Sequence, residues 1–142
     1  MVTEVLMAIR PRYAEAILAG SKQYEVRRNR PGFSCGSRIW IYSTKPIGAV
    51  VGHFLAGEVI LDSPAAIWLK FHDRLAISQE DLDQYLAGSS TATAIEVLDP
   101  FRLGECVRLE TAAAIPQAYR YLRDTGADRE LKKRLVTSLG KP

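Results

Sequence analysis

One strand-like segment of this chain, residues 49–61, is unusually long and contains Gly52 and Gly57. It is about twice as long as the usual strand of five or six residues, so it is expected to bend. Glycines inside a strand mark bulges or points where another backbone approaches closely. The segment therefore predicts a curved sheet of the kind that forms a small barrel.

The other segments are not arranged as a regular alternation of strands and helices. Apolar spacing predicts strands at 5–9, 23–28, 38–42, 49–61 and 91–98, with helices at 13–18, 64–71 and 78–86. The remainder predicts a short strand at 106–109 and helices at 117–123 and 128–136. A doubly wound parallel sheet is disfavoured, because it needs strands and helices in alternation. We predict one α+β domain over residues 1–142, a mixed β-barrel with peripheral helices.

The composition is that of an ordinary globular domain, with 142 residues, 47% of them hydrophobic and 25% charged. No apolar run approaches the roughly 20 residues that a membrane helix needs. The first residues lack the pattern of a signal peptide, because Glu4 and Arg10-Pro11-Arg12 interrupt them. Cys35 and Cys106 have no metal-binding spacing. We expect a cytoplasmic protein with no membrane segment, no metal and no cofactor.

Positive charge is concentrated in the first third of the chain. The formal net charge is +3, but residues 10–45 hold eight basic and two acidic side chains, a local charge of +6. The basic residues are Arg10, Arg12, Lys22, Arg27, Arg28, Arg30, Arg38 and Lys45. A clustered basic surface attracts polyanions, whereas a scattered one is only a solvated face. The asymmetry favours a nucleic-acid or nucleotide ligand.

A dense group of polar residues follows the first predicted helix. Residues 20–27 read Gly-Ser-Lys-Gln-Tyr-Glu-Val-Arg, and strand alternation points Glu25 and Arg27 to the same face. Taken alone, Lys22 could balance the helix dipole, worth about 0.3 to 1 kcal/mol. Glu25 and Arg27 could be an exposed ion pair worth roughly 0 to 1 kcal/mol.

The spacing Gly20-x-Lys22-x-x-Glu25-x-Arg27 resembles the G-x-K-x-x-E-x-R signature of ASCH domains. The resemblance extends over nearly the whole chain, through residues 9–18, 39–46, 50–52, 94–96 and 116–117. It implies a PUA-like β-barrel with a cleft beside the signature, and a role in binding RNA or a modified nucleobase. The fold expected from the resemblance agrees with the one expected from the strand pattern.

The resemblance and the local charge together predict which residues bind the ligand. Arginine and lysine contact phosphates, tyrosines stack on bases, and carboxylates and hydroxyls bond base edges or a 2′-OH. The predicted ligand-binding residues are Arg10, Tyr13, Lys22, Glu25, Arg27, Tyr42, Ser43, Thr44 and Lys45. Tyr42 fits a position in the core equally well, and Trp40 is assigned to the core.

Hydrolysis is the first alternative to a binding module, because some ASCH-type proteins act on RNA or nucleosides. In such a metal-independent ribonuclease or amidohydrolase, Lys22 would be the base and Glu25 would shuttle a proton. Thr44 or Lys45 would stabilise the oxyanion. The acetylcytidine amidohydrolase branch, however, carries threonine where this chain has Glu25, which argues against that activity.

Two further points stay open at the level of sequence. His53 and His72 lie outside the signature and are expected to be structural rather than catalytic. The family is also associated with transcriptional coactivators, so a protein-interaction or coregulator domain with a protein partner is the second alternative. The oligomeric state is not determined by these patterns.

Overall fold

The structure, a computed structural model, describes residues 3–140. Its strands are β1 Glu4–Ile9, β2 Tyr24–Arg27, β3 Arg38–Ser43, β4 Ala49–Asp62, β5 Ala92–Val107 and β6 Tyr119–Tyr121. Its helices are α1 Pro11–Ala19, α2 Pro64–Phe71, α3 Gln79–Tyr85 and α4 Gly126–Leu139. Within residues 3–140, every helix is too short or too polar to cross a membrane.

All six strands form one curled sheet in the order β2-β5-β4-β3-β1-β6. β1 runs parallel to β3, and the other neighbouring pairs are antiparallel. The register between β4 and β5 shifts at three points, which include the positions of Gly52 and Gly57. These bulges let the two longest strands bend, so the sheet closes into half of a barrel. The predicted α+β fold with a curved mixed sheet and peripheral helices is confirmed.

The helices begin and end where local chemistry favours it. α1 starts at Pro11 and ends at Gly20, which has the left-handed φ of 88° that glycine tolerates best. The hydroxyl of Ser78 accepts a hydrogen bond from the backbone N–H of Asp81 at 3.1 Å and so caps α3. The helix predicted at 78–86 therefore begins after this cap and extends to Tyr85.

The sheet buries side chains on both of its faces. On β3, Ile39 and Ile41 pack towards α1, whereas Trp40 and Tyr42 pack towards Leu131 and the rest of α4. Trp40 is 1% exposed, as expected of a core residue. A third apolar cluster holds α2 and α3 against β2. The cluster thereby fixes β2, the edge strand of the sheet, against α2 and α3, and the candidate site lies beside it.

Two of the predicted elements at the end of the chain are wrong. Residues 117–123 are not a helix, because β6 pairs with the open edge of β1, with Met7 opposite Tyr119 and Val5 opposite Tyr121. This pairing satisfies backbone groups of an otherwise unpaired edge, which outweighs helix propensity. Residues 106–109 do not form a separate strand either, since β5 continues without a break to Val107.

Gly52 allows α1 to pack closely on the sheet. A Cβ at this position would lie 2.7 Å from Leu18 Cδ2 and would overlap the carbonyl oxygen of Phe101. We expect Gly52→Ala to lower the free energy of unfolding by roughly 1 to 3 kcal/mol, the usual cost of overpacking. Urea unfolding measures this change. The control is Gly140→Ala, where the nearest atom to the added Cβ is 3.7 Å away, and equal stabilities of the two variants would contradict the prediction.

Candidate functional site

A cleft of about 710 Å³ opens where β2 meets α1 and α3 on the open side of the half-barrel. It is lined by Ala8, Ile9, Arg10, Arg12, Tyr13, Lys22, Glu25, Val26, Arg27, Thr44, Ile77, Asp81, Leu82, Gln84, Tyr85 and Gln117. Four of these side chains are basic and two are acidic. The cleft is therefore a concave, net positive surface, with a volume in the usual range of small-molecule pockets.

Lys22 lies on the floor of the cleft and is 3% exposed. Its Nζ donates a hydrogen bond of 2.5 Å to the carbonyl oxygen of Leu75 and lies 5.0 Å from the centroid of the Tyr13 ring. The ammonium therefore does not balance the dipole at the C-terminal end of α1, which is the role that the sequence spacing alone allows. Burial lowers the pKa of Lys22, and the charge of Arg27 lowers it further, whereas the charge of Glu25 acts in the opposite direction.

Glu25 and Arg27 point to the same face of β2, as strand alternation predicts. Arg27 Nε lies 3.0 Å from Glu25 Oε2, and the two side chains are only 17% and 9% exposed. The Nε contact is an ion pair without hydrogen-bond geometry. A second guanidinium nitrogen donates to the carbonyl oxygen of Ala8 at 2.8 Å. Arg27 thus joins β2 to the end of β1 across the open side of the half-barrel, so this is not an ordinary exposed ion pair.

The rim of the cleft carries accessible charge. Arg10 is exposed, and its side chain has no ion-pair partner within residues 3–140. Arg12 Nη2 lies 3.6 Å from Asp81 Oδ2, and the carbon of the same guanidinium lies 5.6 Å from the centroid of the Tyr13 ring. This contact connects α1 with α3 at the surface. Because its side chains are 71% and 44% exposed, solvent screens it strongly.

The structure brings together six of the nine predicted ligand-binding residues, namely Arg10, Tyr13, Lys22, Glu25, Arg27 and Thr44. Tyr42 and Ser43 are buried, at 4% and 2% exposure, and do not line the cleft. Tyr42 packs with Trp40 on the opposite face of the sheet, because alternate residues of a strand point to opposite faces. Lys45 is exposed outside the cleft. Tyr42, Ser43 and Lys45 thus lie outside the cleft, contrary to the prediction that they bind the ligand together with the other six.

The basic residues of the first third do not all share one surface. Arg28 lies beside the cleft and donates to the carbonyl oxygens of Tyr85 and Ala87, at 3.5 and 3.4 Å. Arg38 lies away from the cleft, 4.0 Å from Glu4 and 5.5 Å from the centroid of the Trp40 ring. The positive charge of the cleft therefore comes from part of the predicted set.

Sequence reasoning missed one wall of the cleft. Asp81, Gln84 and Tyr85 come from α3, and Gln117 comes from the segment that precedes β6. The sequence of α3 predicts a helix, but it does not indicate which other segments the helix packs against. Its position becomes visible only in the folded chain, where Leu82 packs in the apolar cluster below β2.

Neither histidine lines the cleft. His53 stacks on Phe101 with a centroid distance of 5.4 Å and meets the edge of Trp40 at 4.9 Å. His72 lies 5.5 Å from the ring of Trp68. Within the part of the chain that the structure describes, no three or more His, Cys, Asp or Glu side chains are grouped to hold a metal ion.

Comparisons with known proteins agree with the fold. The model of the ASCH domain family matches residues 7–101. A protein of Zymomonas mobilis named ASCH domain-containing ribonuclease is 27% identical over 125 residues, which cover 84% of each chain. The crystal structure of ASCH from Zymomonas mobilis superposes with a TM-score of 0.84 at 26% identity, over 95% of this chain and 94% of that one.

A more distant structure shares the fold alone. The N-terminal domain of Staphylothermus marinus McrB has a TM-score of 0.54 at 11% identity, over 92% of this chain and 95% of that domain. At this identity the similarity concerns the fold and not the residues of the cleft.

Proposed function

This chain belongs to the ASCH domain family, and we propose that it binds single-stranded RNA in the cleft and cleaves it there. The observation that carries the proposal is the group formed by the buried Lys22 and Glu25 and the half-buried Arg27 on the cleft floor, beside an exposed basic rim. A relative that covers 84% of the chain bears the name ribonuclease, which supports RNA as the ligand. RNA binding without cleavage is the second candidate.

The rim suits the phosphates of a single strand. Arginine binds phosphate oxygens with up to two hydrogen bonds, and Arg10 and Arg12 are both exposed at the cleft. A volume of about 710 Å³ holds one or two nucleotides but not a duplex. Single strands can also turn their bases into a pocket, which a duplex does not allow.

The floor suits proton transfer. A lysine whose pKa is lowered by burial is more easily deprotonated, and its neutral amine can act as a general base. In the proposed reaction, Lys22 Nζ takes the proton of a ribose 2′-OH, and the 2′ oxygen attacks the adjacent phosphorus. The bond from phosphorus to the 5′ oxygen breaks, and that oxygen takes a proton from water. The Lys22 ammonium then returns its proton to the hydroxide that remains, which regenerates both the amine and the water. The products are a 2′,3′-cyclic phosphate and a 5′-hydroxyl end, and no co-reactant is needed.

Glu25 and Arg27 support this step without reacting. The Glu25 carboxylate favours the ammonium form that Lys22 reaches after it takes the proton. Arg27 holds Glu25 by their 3.0 Å contact and is itself held by the carbonyl oxygen of Ala8. The group is therefore positioned before the ligand arrives, which lowers the cost of reorganisation during the reaction.

The proposal is tested by incubating the protein with short single-stranded RNAs, in parallel with magnesium and with a chelator, and analysing the products by mass spectrometry. New 2′,3′-cyclic phosphate ends support cleavage by the proposed route. RNA that is retained without products would leave a binding module. If no RNA is retained or cleaved, the proposal is wrong and the protein-interaction alternative gains weight.

Arg10 is expected to contribute binding energy through a phosphate. We expect Arg10→Ala to weaken binding of a single-stranded, non-cleavable 2′-O-methyl RNA and to reduce the slope of log affinity against log salt by about 0.7, the value for one phosphate contact. Fluorescence anisotropy over a series of salt concentrations measures both. Arg38→Ala is the matched control, since Arg38 lies away from the cleft. An equal loss in both variants would contradict the prediction.

A further inference from the structure

β2 has a free edge that faces the cleft. It is the outermost strand of the sheet and pairs only with β5. The backbone N–H of Val97 donates to the carbonyl oxygen of Gln23 at 2.9 Å, in register with the pairing of Tyr24 and Glu96. Hydrogen-bonded pairs alternate along an antiparallel ladder. Glu25 and Arg27 therefore bond to β5 with their main chains, whereas the N–H and C=O of Val26 point away from it.

These two groups of Val26 lack partners within residues 3–140. Val26 lines the cleft, but its side chain packs with Ile67, Phe71 and Leu82 in the apolar cluster below β2. Its N–H and C=O, which point away from β5, lie on the free edge of β2 beside the cleft. Val26 as a whole is 7% exposed, and backbone groups that are shielded from water are nearly always hydrogen-bonded in folded proteins. A donor and an acceptor side by side are thus available to a ligand in the cleft.

Tyr85 supplies an aromatic surface in the same cleft. It lies on α3 and is 40% exposed. Within the described part of the chain it stacks on no other aromatic ring, in contrast to Tyr24, whose ring lies 4.2 Å from that of Phe71. An exposed ring at a nucleotide-sized cleft can stack on a base, and such stacking tolerates any base.

We propose that the Val26 main chain reads the Watson–Crick edge of one nucleobase of the bound RNA while Tyr85 stacks on the face of that base. This inference rests on the function proposed above. Every base carries a hydrogen-bond donor next to an acceptor on that edge, which complements the N–H and C=O of one extended residue. The subsite accordingly selects a base that is not paired. The substrate is therefore restricted to unpaired nucleotides in two ways, by recognition of the base at this subsite and by the limited volume of the cleft.

The first experiment removes one base at a time from a short single-stranded 2′-O-methyl RNA that binds the wild type. We expect one abasic position to lower the affinity by about 5- to 100-fold, the range for loss of a stacked base, and the other positions to have little effect. Tyr85→Leu should lower the affinity for the intact RNA to a similar extent. The abasic RNA should bind Tyr85→Leu about as well as it binds the wild type. Tyr85→Phe keeps the ring and should bind normally.

The second experiment replaces only the backbone N–H. Incorporating the α-hydroxy analogue of valine at position 26 turns that amide into an ester and leaves the side chain unchanged. We expect a loss of about 5- to 20-fold in RNA affinity, as for one buried hydrogen bond. The matched control is the same exchange at Tyr24, whose N–H also points away from β5 but which does not line the cleft. Thermal unfolding should be similar for both esters.

The outcomes separate this inference from the proposed function. Base reading is overturned if no abasic position changes the affinity of the RNA. It is also overturned if the position-26 ester binds RNA as tightly as the wild type does. Phosphate binding by the rim is not affected by either outcome. A wild type that neither retains nor cleaves any RNA overturns the proposed function and this inference with it. The inference and the proposed function are both supported if one abasic position lowers the affinity for the wild type and has no further effect on Tyr85→Leu.

Discussion

Lys22→Met is expected to lower the rate of RNA cleavage by about 10²- to 10⁴-fold, the usual contribution of a general base. Methionine has a similar length and suits a site that is 3% exposed, so the cleft should keep its shape. Single-turnover cleavage of a short single-stranded RNA measures the rate. Binding should change far less than the rate, because Lys22 lies on the floor of the cleft rather than on its rim.

Controls for Lys22 separate the base from a simple cation. Lys22→Arg keeps the charge but cannot give up a proton, so it should be nearly as slow as Lys22→Met. Lys45→Met removes an exposed lysine outside the cleft and should react at the normal rate. Thermal unfolding must accompany these assays, because losing the ammonium leaves the Leu75 carbonyl without its partner, at a cost of about 1 to 3 kcal/mol. Full activity of Lys22→Arg would exclude Lys22 as the base.

The pH dependence of the rate gives a further readout of Lys22. The neutral amine is the reactive form, so the rate should rise with pH and level off once Lys22 is deprotonated. Because burial lowers the pKa of Lys22, the plateau should begin below the range of an exposed lysine. The same shift makes the folded protein bind fewer protons than the unfolded chain between the two pKa values. Stability should therefore rise with pH in that interval.

Arg27→Ala is expected to lower the free energy of unfolding by about 3 to 5 kcal/mol, as when one partner of a buried ion pair is removed. The variant leaves the Glu25 carboxylate, which is 9% exposed, without the guanidinium that lies 3.0 Å away. It also removes the hydrogen bond to the Ala8 carbonyl oxygen, which connects β2 with β1. Urea unfolding followed by circular dichroism measures the change.

An exposed ion pair provides the control for Arg27. Arg102 Nη2 lies 2.6 Å from Glu15 Oε1, but the two side chains are 51% and 63% exposed. Arg102→Ala should therefore change the stability little. The double variant Glu25→Met/Arg27→Met should be more stable than Arg27→Ala, since no charge is then left buried alone. If Arg27→Ala and Arg102→Ala were equally stable, the burial of the Glu25–Arg27 pair would have no energetic consequence.

Much of the fold follows from local patterns. The glycines of β4 do lie at bulges, and the hydroxyl of Ser78 does cap α3, because both depend on the backbone preferences of a few neighbouring residues. The helix expected at 117–123 is absent, since its outcome depended on a strand edge more than a hundred residues earlier in the chain. Such pairing cannot be seen in the periodicity of the segment itself.

The candidate site divides in the same way. Gly20 ends α1 and strand alternation sets Glu25 beside Arg27, so the core of the site is encoded within a few consecutive residues. The partner of Lys22 is Leu75, which is 53 residues away, and Tyr85 comes from the same distant part of the chain. Their positions follow from the packing of α2 and α3 under β2.

The sequence by its own patterns thus determines the bend of β4, the helices α1 to α4 and the common face of Glu25 and Arg27, because side-chain periodicity and backbone preference act over a few residues. Only the tertiary structure decides that Lys22 is buried, that Arg27 joins β2 to β1 and that Val26 lines the cleft. Burial, and with it the direction of a pKa shift, depends on which distant segments pack together, and no single segment carries that information.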